Sequence, residues 1–335
     1  MLARNLILKT SAWGPVERLV RRSFLFKPLV RRFIAGDTLE EAMAASIAVI
    51  EKGMFVSLDF LGENTKSEAE ALAAKATYIR MLEQISASKC AAPPKSVKLR
   101  KKKVLVAPGA LESPAEAGEL EATNISIKLT QCGLDQGEEF AENNYREVLW
   151  TAAEKHNFVR IDMEASEYTE RTVQIVSKVL RDFPNTGTVL QSYLTRTDQD
   201  VETMIDLQAR VRIVKGAYLE PPEVAIQDKS KVDEAYVRQS KRLLDAAFYP
   251  AIATHDEKII NELKQYVVEK GIDKQSFEFQ MLYGIRRDLQ DSLTKEGFNV
   301  RVYIPFGDSW YPYFTRRLAE RPANMFFILK SMFKG

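Results

Sequence analysis

The chain reads RVYIPFG at residues 301–307 and FTRRLAERPAN at residues 314–324, and these neighbouring stretches indicate the architecture of the whole chain. The first is rich in β-branched and aromatic residues and ends at a proline and a glycine, which is typical of a buried strand followed by a turn. The second has helical spacing and places Arg316 beside Arg317. A strand followed by a helix is the repeating unit of α/β folds.

The same unit recurs along the chain. Strand-like apolar runs lie at residues 54–60, 125–129, 158–162, 188–193, 211–215, 251–254, 276–280 and 299–304. Helical patterns follow them, for example at residues 67–85, 139–155, 167–181, 198–210, 231–247 and 256–270. This alternation predicts a parallel sheet, and eight units fit a (β/α)8 barrel, which typically takes roughly 250 residues. An open doubly wound sheet is the alternative, although the chain lacks both the GxGxxG and the GxxxxGK[ST] fingerprints.

Two segments depart from this pattern. Residues 1–50 are predicted to form a basic amphipathic helical segment ahead of a barrel at 51–333, and the first 35 residues carry eight basic residues and one acid. This segment either lies on an anionic membrane surface or caps the barrel, and a mitochondrial transit peptide is a weaker third interpretation. The composition of residues 88–123 predicts a surface insertion. For the basic run KLRKKK at 98–103, a solvated loop is favoured over a contact with nucleic acid.

Composition limits the class of protein. The 335 residues are 45% apolar and 28% charged, with a net charge of +2, which is typical of a globular chain and does not favour nucleic acid as a partner. Cys90 with Cys132 and His156 with His255 are too few and too widely spaced for a disulfide framework or a metal site. The chain has no apolar run of about 18 residues, so we expect no transmembrane helix and a reducing, cytoplasmic location.

In a (β/α)8 barrel, the chemistry lies where the strands end. Each predicted strand ends near a polar side chain, and these are Asp59 with Glu63, Lys128, Asp162 with Glu164, Gln191, Lys215 with Tyr218, Thr254 with His255, Gln280, and Tyr303. The set is rich in cations, because Arg316 and Arg317 follow the last strand, but it contains no Ser-His-Asp arrangement. It therefore predicts a site for a small anion whose chemistry comes from a bound cofactor. The alternative for the arginines is a solvated helix face, with Arg316 paired to Glu320.

Nine stretches of the chain match a known family. They are LDFLGE at 58–63, IKLT at 127–130, FVRIDME at 158–164, QSYL at 191–194, RIVKGAY at 212–218, ATHD at 253–256, FQMLYG at 279–284, RVYIPFG at 301–307 and the helix with Arg316 and Arg317. In these stretches the chain resembles the FAD-dependent proline dehydrogenase family in its short, monofunctional form. The resemblance spans about residues 33–333 except for 88–123, and each motif falls in order on its own strand-helix unit.

The resemblance implies that FAD is bound non-covalently and that L-proline is oxidised to Δ1-pyrroline-5-carboxylate by hydride transfer to flavin N5. It also implies that a quinone receives the electrons, which would give the basic N-terminal segment a peripheral role at the inner face of the cell membrane. It assigns the proline carboxylate to Lys128, Arg316 and Arg317. The oligomeric state stays unassigned.

The resemblance further implies roles for the remaining site residues. Those that would wall the pyrrolidine ring are Ala217, Tyr218, Leu282 and Tyr303. Asp162 would hold Tyr303 and the two arginines, and Glu63 would pair with Arg316 as a gate over the closed site. Those that would bind FAD are Gln191, Arg212 near flavin N5, Val214, Lys215, Gly216, Ala217, Thr254, His255 and Gln280.

Two other functions remain open at this point. One is a lyase that forms a Schiff base on Lys215 or Lys128 of the same barrel. The other is a non-catalytic barrel that binds membranes through residues 1–35. Absorbance of a bound flavin would argue against the first, and an intact set of strand-end residues argues against the second.

Overall fold

The computed structural model describes residues 14–23, 26–97 and 119–320. Within them, eight parallel strands close into a barrel in chain order. The strands are β1 Phe55–Phe60, β2 Thr123–Ile127, β3 Val159–Ile161, β4 Thr186–Gln191, β5 Arg210–Val214, β6 Ala251–Ala253, β7 Glu278–Leu282 and β8 Asn299–Phe306. Because β1 pairs with β8 as well as with β2, the sheet has no free edge and the predicted (β/α)8 barrel is confirmed over the open doubly wound sheet.

Helices cover the outside of the barrel and precede its first strand. They are α1 Gly14–Arg22, α2 Lys27–Phe33, α3 Leu39–Ile50, α4 Glu68–Ser86, α5 Glu138–Glu154, α6 Ser166–Val179, α7 Thr197–Asp206, α8 Lys229–Ala246, α9 Glu257–Glu269, α10 Arg287–Lys295 and α11 Tyr311–Glu320. Polar side chains fix where several of them begin. Asp256 accepts a hydrogen bond from the Lys258 N–H at the start of α9, as a helix cap does.

Several strand boundaries differ from those predicted by pattern. β2 and β4 each begin two residues earlier than predicted, and β7 extends to Leu282 rather than ending at 280. β8 continues past Ile304 to Phe306, although it contains a proline. Pro305 lacks only the N–H, and β8 stays paired with β1 past it, because the Phe306 carbonyl accepts a hydrogen bond from the Leu61 N–H at 2.8 Å.

The described part of the N-terminal segment packs on the last helix. Leu29 and Val30 of α2 are buried in one apolar cluster with Trp310 and Phe314. The Arg21 guanidinium lies 4.9 Å from the Trp310 ring centroid and donates to the Asp308 carbonyl at 2.9 Å. Trp13 and Phe24, which the membrane interpretation uses, lie outside the described residues. Every helix within the described ranges is too short or too polar to span a lipid bilayer.

The predicted insertion at 88–123 has buried residues next to both ends of its undescribed middle. Val97 and Leu120 pack with Phe55, Phe248 and Tyr249. Residues 98–118, including the basic run, lie outside the described residues. The surface position of that middle stretch therefore stays a prediction, whereas Val97 and Leu120 belong to the packed interior.

Buried charges fill the barrel where the strands begin. Glu121 accepts two hydrogen bonds from Arg210, each 2.8 Å long, and lies 3.2 Å from Arg301. Arg301 also pairs with Glu278 at 2.9 Å, while Arg160 donates to the Arg210 carbonyl at 2.8 Å. Burial alone would raise the pKa of Glu121, but the two guanidinium groups lower it to about 2. Glu121 is therefore ionised at neutral pH, and the network links five parts of the chain.

Candidate active site

Asp162 lies at the centre of the opposite end of the barrel, directly after β3. Its Oδ2 accepts a hydrogen bond from the Tyr303 hydroxyl at 2.6 Å. Its Oδ1 accepts one from Arg212 Nη1, also at 2.6 Å. The Arg212 guanidinium carbon lies 5.1 Å from the Tyr303 ring centroid, so the three groups form one compact unit. Both oxygens of Asp162 are thus engaged by Tyr303 and Arg212, rather than by Arg316 and Arg317.

Arg212 is held on its other sides as well. Its Nε donates to the Gln280 side-chain carbonyl, and its Nη2 donates to Ser126 Oγ at 3.1 Å and to Ser57 Oγ at 3.4 Å. The side chain is almost fully buried. A cation fixed by so many partners in the barrel interior has a defined position and does not need to reorganise when charge develops beside it.

Lys128, directly after β2, is paired with the buried carboxylate of Asp59. The Lys128 Nζ lies 2.8 Å from Asp59 Oδ1, and the side chains are 7% and 1% exposed. Burial lowers the pKa of Lys128, but the carboxylates of Asp59, Asp162 and Glu63 outweigh it, so the pKa lies above its usual value. Lys128 is therefore a fixed ammonium ion close to the central carboxylate.

Arg316 of α11 reaches across the barrel mouth to Glu63, which follows β1. The shortest contact joins Arg316 Nη2 to Glu63 Oε1 at 2.6 Å, and the side chains are 22% and 23% exposed. The guanidinium carbon also lies 5.7 Å from the Tyr218 ring centroid. Burial, and then the charge of Glu63, raise the pKa of Tyr218, so its hydroxyl stays protonated. The predicted pair of Glu63 with Arg316 is therefore present, whereas the side chain of Glu320, the alternative partner, is not described by the structure.

Arg317 lies on the same helix and is partly buried. Its guanidinium carbon is 5.3 Å from the Tyr313 ring centroid. The charge of Glu63 acts to raise the pKa of Lys128, Tyr218 and Arg316, so the three side chains lie near this carboxylate. The structure therefore brings Lys128 and Arg316 to one mouth of the barrel, and Arg317 follows Arg316 on α11.

The predicted cofactor residues line the ends of β4 to β7. Lys215 lies between Asp233, at 2.5 Å, and Asp256, at 3.1 Å. His255 Nε2 accepts a hydrogen bond from the Leu282 N–H at 2.8 Å, so the other ring nitrogen carries the proton if the imidazole is neutral. Gln191 donates to the Glu164 carbonyl at 2.7 Å, and Thr254 Oγ1 accepts from the Asp256 N–H at 3.1 Å.

Gly216 occupies a position that a side chain would obstruct. Its φ is +118°, and a Cβ placed there would lie 2.3 Å from the Tyr193 ring. The same end of the barrel carries two paired cations, Arg212 and Lys215, and the side-chain amides of Gln191 and Gln280. Cations and amide donors arranged along consecutive strand ends fit the carbonyl oxygens, ring nitrogens and phosphates of a flavin nucleotide.

Glu164 has no role in the assignment made from the sequence, although it lies in the FVRIDME stretch. Its carboxylate accepts hydrogen bonds from the Thr130 N–H at 3.1 Å and from the Thr130 hydroxyl at 2.5 Å. Burial is the largest effect on this group and raises its pKa to about 7. Asp59 belongs to the predicted strand-end set and Thr130 to the IKLT motif. Their partners, however, are known only from the tertiary structure.

The raised pKa of Glu164 predicts a pH-dependent stability. Because folding favours the protonated form, this group stabilises the fold fully below its ordinary pKa of 4.5, and the contribution is lost as pH rises through about 7. When the pH is raised from about 5 to about 8, the wild type loses this contribution and Glu164→Gln does not. The free energy of unfolding of Glu164→Gln relative to that of wild type should therefore rise by about 2 kcal/mol. Urea denaturation at both pH values measures this, and a difference that does not change with pH would show an ordinary pKa.

A closed (β/α)8 barrel with charged side chains gathered at the C-terminal ends of its strands has the layout of a barrel enzyme, because the active sites of this fold lie at that end. The family model described as proline dehydrogenase matches residues 42–330, and the chain belongs to that family. The resemblance found in the nine motifs is therefore confirmed.

Curated relatives match over most of the chain. The proline dehydrogenase of Deinococcus radiodurans is 38% identical over 339 residues, covering 100% of this chain and 99% of that protein. Proline dehydrogenase 1 of Bacillus subtilis is 40% identical over 304 residues, covering 91% of this chain and 90% of that protein.

Solved structures share the fold. Proline utilization A from Bdellovibrio bacteriovorus has a TM-score of 0.79 at 23% identity, and the match covers 96% of this chain. Proline utilization A from Bradyrhizobium japonicum has a TM-score of 0.67 at 21% identity. This chain spans 37% and 36% of the length of these two larger proteins.

Proposed function

We propose that this protein is a proline dehydrogenase that oxidises L-proline to Δ1-pyrroline-5-carboxylate with non-covalently bound FAD. The observation that carries the proposal is the cationic barrel mouth with the Asp162–Tyr303–Arg212 unit beneath it, in a chain of this family. FAD, when bound, would supply the acceptor for the two electrons that leave the substrate as hydride. The substrate loses a C5 hydride and an amine proton, and the ring nitrogen becomes an imine.

The carboxylate of proline is the group that the cations would recognise. Arg316 and Arg317 are adjacent on α11 and each offers a planar fork of donors, whereas Lys128 offers a point charge from below. Several fixed cations around one carboxylate orient the ring and turn the chemical step into a near-unimolecular one. Glu63 would then close over the substrate by pairing with Arg316.

The neutral part of the substrate would lie against Ala217, Tyr218, Leu282 and Tyr303. Tyr303 is held in one orientation by its hydrogen bond to Asp162. Tyr218 lies partly buried beside Arg316, and its raised pKa keeps the hydroxyl neutral. Neutral aromatic surfaces suit a pyrrolidine ring and leave the charged contacts to the carboxylate.

The residues that would hold FAD are Gln191, Arg212, Val214, Lys215, Gly216, Ala217, Thr254, His255 and Gln280. Arg212 and Lys215 would supply positive charge beside the flavin, which would favour its reduced, anionic form. Gly216, which has no side chain, lets the Tyr193 ring pack directly against the backbone beside these cations.

Neither lysine of the lyase alternative is suited to form a Schiff base. Lys215 is clamped between Asp233 and Asp256, and Lys128 is paired with Asp59. The pKa of Lys128 lies above its usual value, so its amine is protonated at neutral pH. A nucleophilic lysine needs the opposite shift, which burial without a carboxylate partner would produce.

Transfer of electrons to a quinone at the membrane is part of the proposal. Its support is the excess of basic residues in the first 35 positions, which would attract anionic lipid. Location in the cytoplasm, with peripheral contact at the inner membrane face, is proposed on the same ground.

A visible spectrum of the purified protein, before and after anaerobic addition of L-proline, tests the proposed function. We expect flavin absorbance that L-proline bleaches. Pyrrolidine is the matched control, because it has the same ring without the carboxylate and should bleach the flavin poorly. A colourless protein that cannot be reconstituted with FAD would refute the proposal, and trapping of substrate on a lysine by borohydride would favour the lyase.

Replacing Arg317 with methionine should raise the KM for proline by about 100-fold while FAD content stays unchanged. The methionine keeps much of the apolar stem but removes a charge-assisted contact of about 2–4 kcal/mol. Steady-state kinetics measure the effect. Arg171→Met is the control, since Arg171 also lies 5.3 Å from a tyrosine ring centroid, that of Tyr168, but on the outer helix α6. Unchanged proline kinetics in Arg317→Met would place Arg317 on a solvated helix face.

A further inference from the structure

The loop that carries Glu63 is tied to the neighbouring loop after β2 by a short series of hydrogen bonds. The Asn64 N–H donates to the Thr130 hydroxyl oxygen at 3.0 Å. The Thr65 hydroxyl donates to the Thr130 carbonyl at 2.6 Å. Asn64 has a φ of +54°, in the left-handed region that asparagine tolerates better than most residues. Thr130 therefore fixes the two residues that follow Glu63 in the chain.

Thr130 is in turn fixed by Glu164. The carboxylate accepts from both the N–H and the hydroxyl of Thr130, and both residues are buried. Because the hydroxyl proton is given to Glu164, the lone pairs of the same oxygen face Asn64. The Asn64 N–H thus donates to the Thr130 hydroxyl oxygen, and the Thr130 hydroxyl in turn donates to the Glu164 carboxylate.

Glu164 also contacts the residues proposed to bind the cofactor. The main-chain carbonyl of Glu164 accepts from Gln191 at 2.7 Å, and Gln191 belongs to the proposed cofactor set. From Glu164, one path of hydrogen bonds leads to Gln191 and the other leads through Thr130 to the Glu63 loop. The position of the gate is therefore set from the buried side of the site.

We propose that Thr130 and Glu164 are positioning residues that hold Glu63 where it can pair with Arg316 over bound substrate. This inference rests on the proposed function, because Glu63 matters as a gate only if proline binds beneath it. Neither residue needs to touch substrate. Their effect passes through the backbone at Asn64, since loosening that N–H lets the neighbouring Glu63 swing away from Arg316.

The test is a double-mutant cycle between Thr130→Val and Glu63→Ala, assayed on the FAD-loaded enzyme at about pH 8, where Glu164 is ionised. Valine keeps the shape of threonine and removes only the hydroxyl. We expect Thr130→Val to raise the KM for proline about tenfold, which corresponds to about 1.4 kcal/mol. In the Glu63→Ala background the same substitution should change KM by less than about twofold, because the gate is already lost.

Two variants control the experiment. Thr130→Ser retains the hydroxyl and should stay within about twofold of wild type. Thr77→Val makes the same substitution at a partly exposed α4 residue whose hydroxyl donates to the Ala73 carbonyl of its own helix, and it should have no effect on KM. If Thr130→Val does not yield folded flavoprotein, the cycle is run with Thr65→Val, which breaks the same clamp from the partly exposed side.

The outcomes separate the two proposals. If wild-type flavin is not bleached by proline, the proposed function fails. If it is bleached but the effects of Thr130→Val and Glu63→Ala on KM add independently, Thr130 acts only on general structure and the positioning inference is overturned. A serine variant as impaired as the valine variant would overturn it as well.

Discussion

Replacing Asp162 with alanine should slow proline-dependent flavin reduction by about 100- to 1,000-fold, equivalent to roughly 3–4 kcal/mol of lost transition-state stabilisation. The substitution removes the acceptor of both the Tyr303 hydroxyl and Arg212 Nη1. Tyr303 would lose its fixed orientation, and Arg212 would keep its charge without its carboxylate partner. Anaerobic stopped-flow reduction of the flavin by L-proline measures the effect directly.

Asp135→Ala is the matched control for this prediction. Asp135 also accepts a hydrogen bond from a tyrosine, Tyr168, but at 3.4 Å and away from the barrel interior. It should leave the rate of flavin reduction unchanged. An Asp162→Ala enzyme that binds FAD and reduces it at the wild-type rate would mean that the Asp162–Tyr303–Arg212 unit is structural and does not position the substrate.

The second large effect is expected at the other end of the barrel, where Glu121→Gln should lower the free energy of unfolding by about 3 kcal/mol. The glutamate is the shared partner of Arg210 and Arg301, and its loss leaves buried guanidinium charge with Glu278 as the remaining carboxylate. The depressed pKa of about 2 gives the same sign: the stabilisation is present above the ordinary pKa of 4.5 and is lost as pH falls towards 2.

Urea denaturation at neutral pH and equal flavin concentration measures this effect, because bound FAD itself stabilises the native state. Glu119→Gln is the control, since Glu119 is exposed and lies two residues earlier in the chain. Equal unfolding midpoints for wild type and Glu121→Gln would show that the arginines find other partners or water, and that the network contributes little to stability.

Local sequence pattern was sufficient for the architecture. Apolar runs separated by amphipathic helices predict strands and crossovers because burial on both faces of a parallel strand leaves a continuous apolar stretch. The pattern was less accurate at strand ends, as with Pro305, because where pairing stops depends on the neighbouring strand rather than on the residue itself. Flanks of the 88–123 segment were assigned to the surface by composition, yet Val97 and Leu120 are buried by contacts made far away in sequence.

The sequence was sufficient to predict which residues gather at the candidate site. In a parallel barrel every strand ends at the same rim, so Lys128, Asp162, Lys215 and Tyr303 had to lie near one another once the fold was known. The family resemblance then supplied roles that spacing could not. The sequence did not indicate Asp59 or Glu164 as partners, because both looked like ordinary polar residues at strand ends.

By itself, the sequence determined the barrel, its order of units and the rim on which polar residues gather, since these follow from periodicity and chain connectivity. Only the tertiary structure decided which charges pair. Arg316 meets Glu63 across 253 positions of the chain, and Arg301 meets Glu121 across 180. The energy of a buried ion pair depends on the distance between its charges and on their removal from water, and neither quantity is encoded in local pattern.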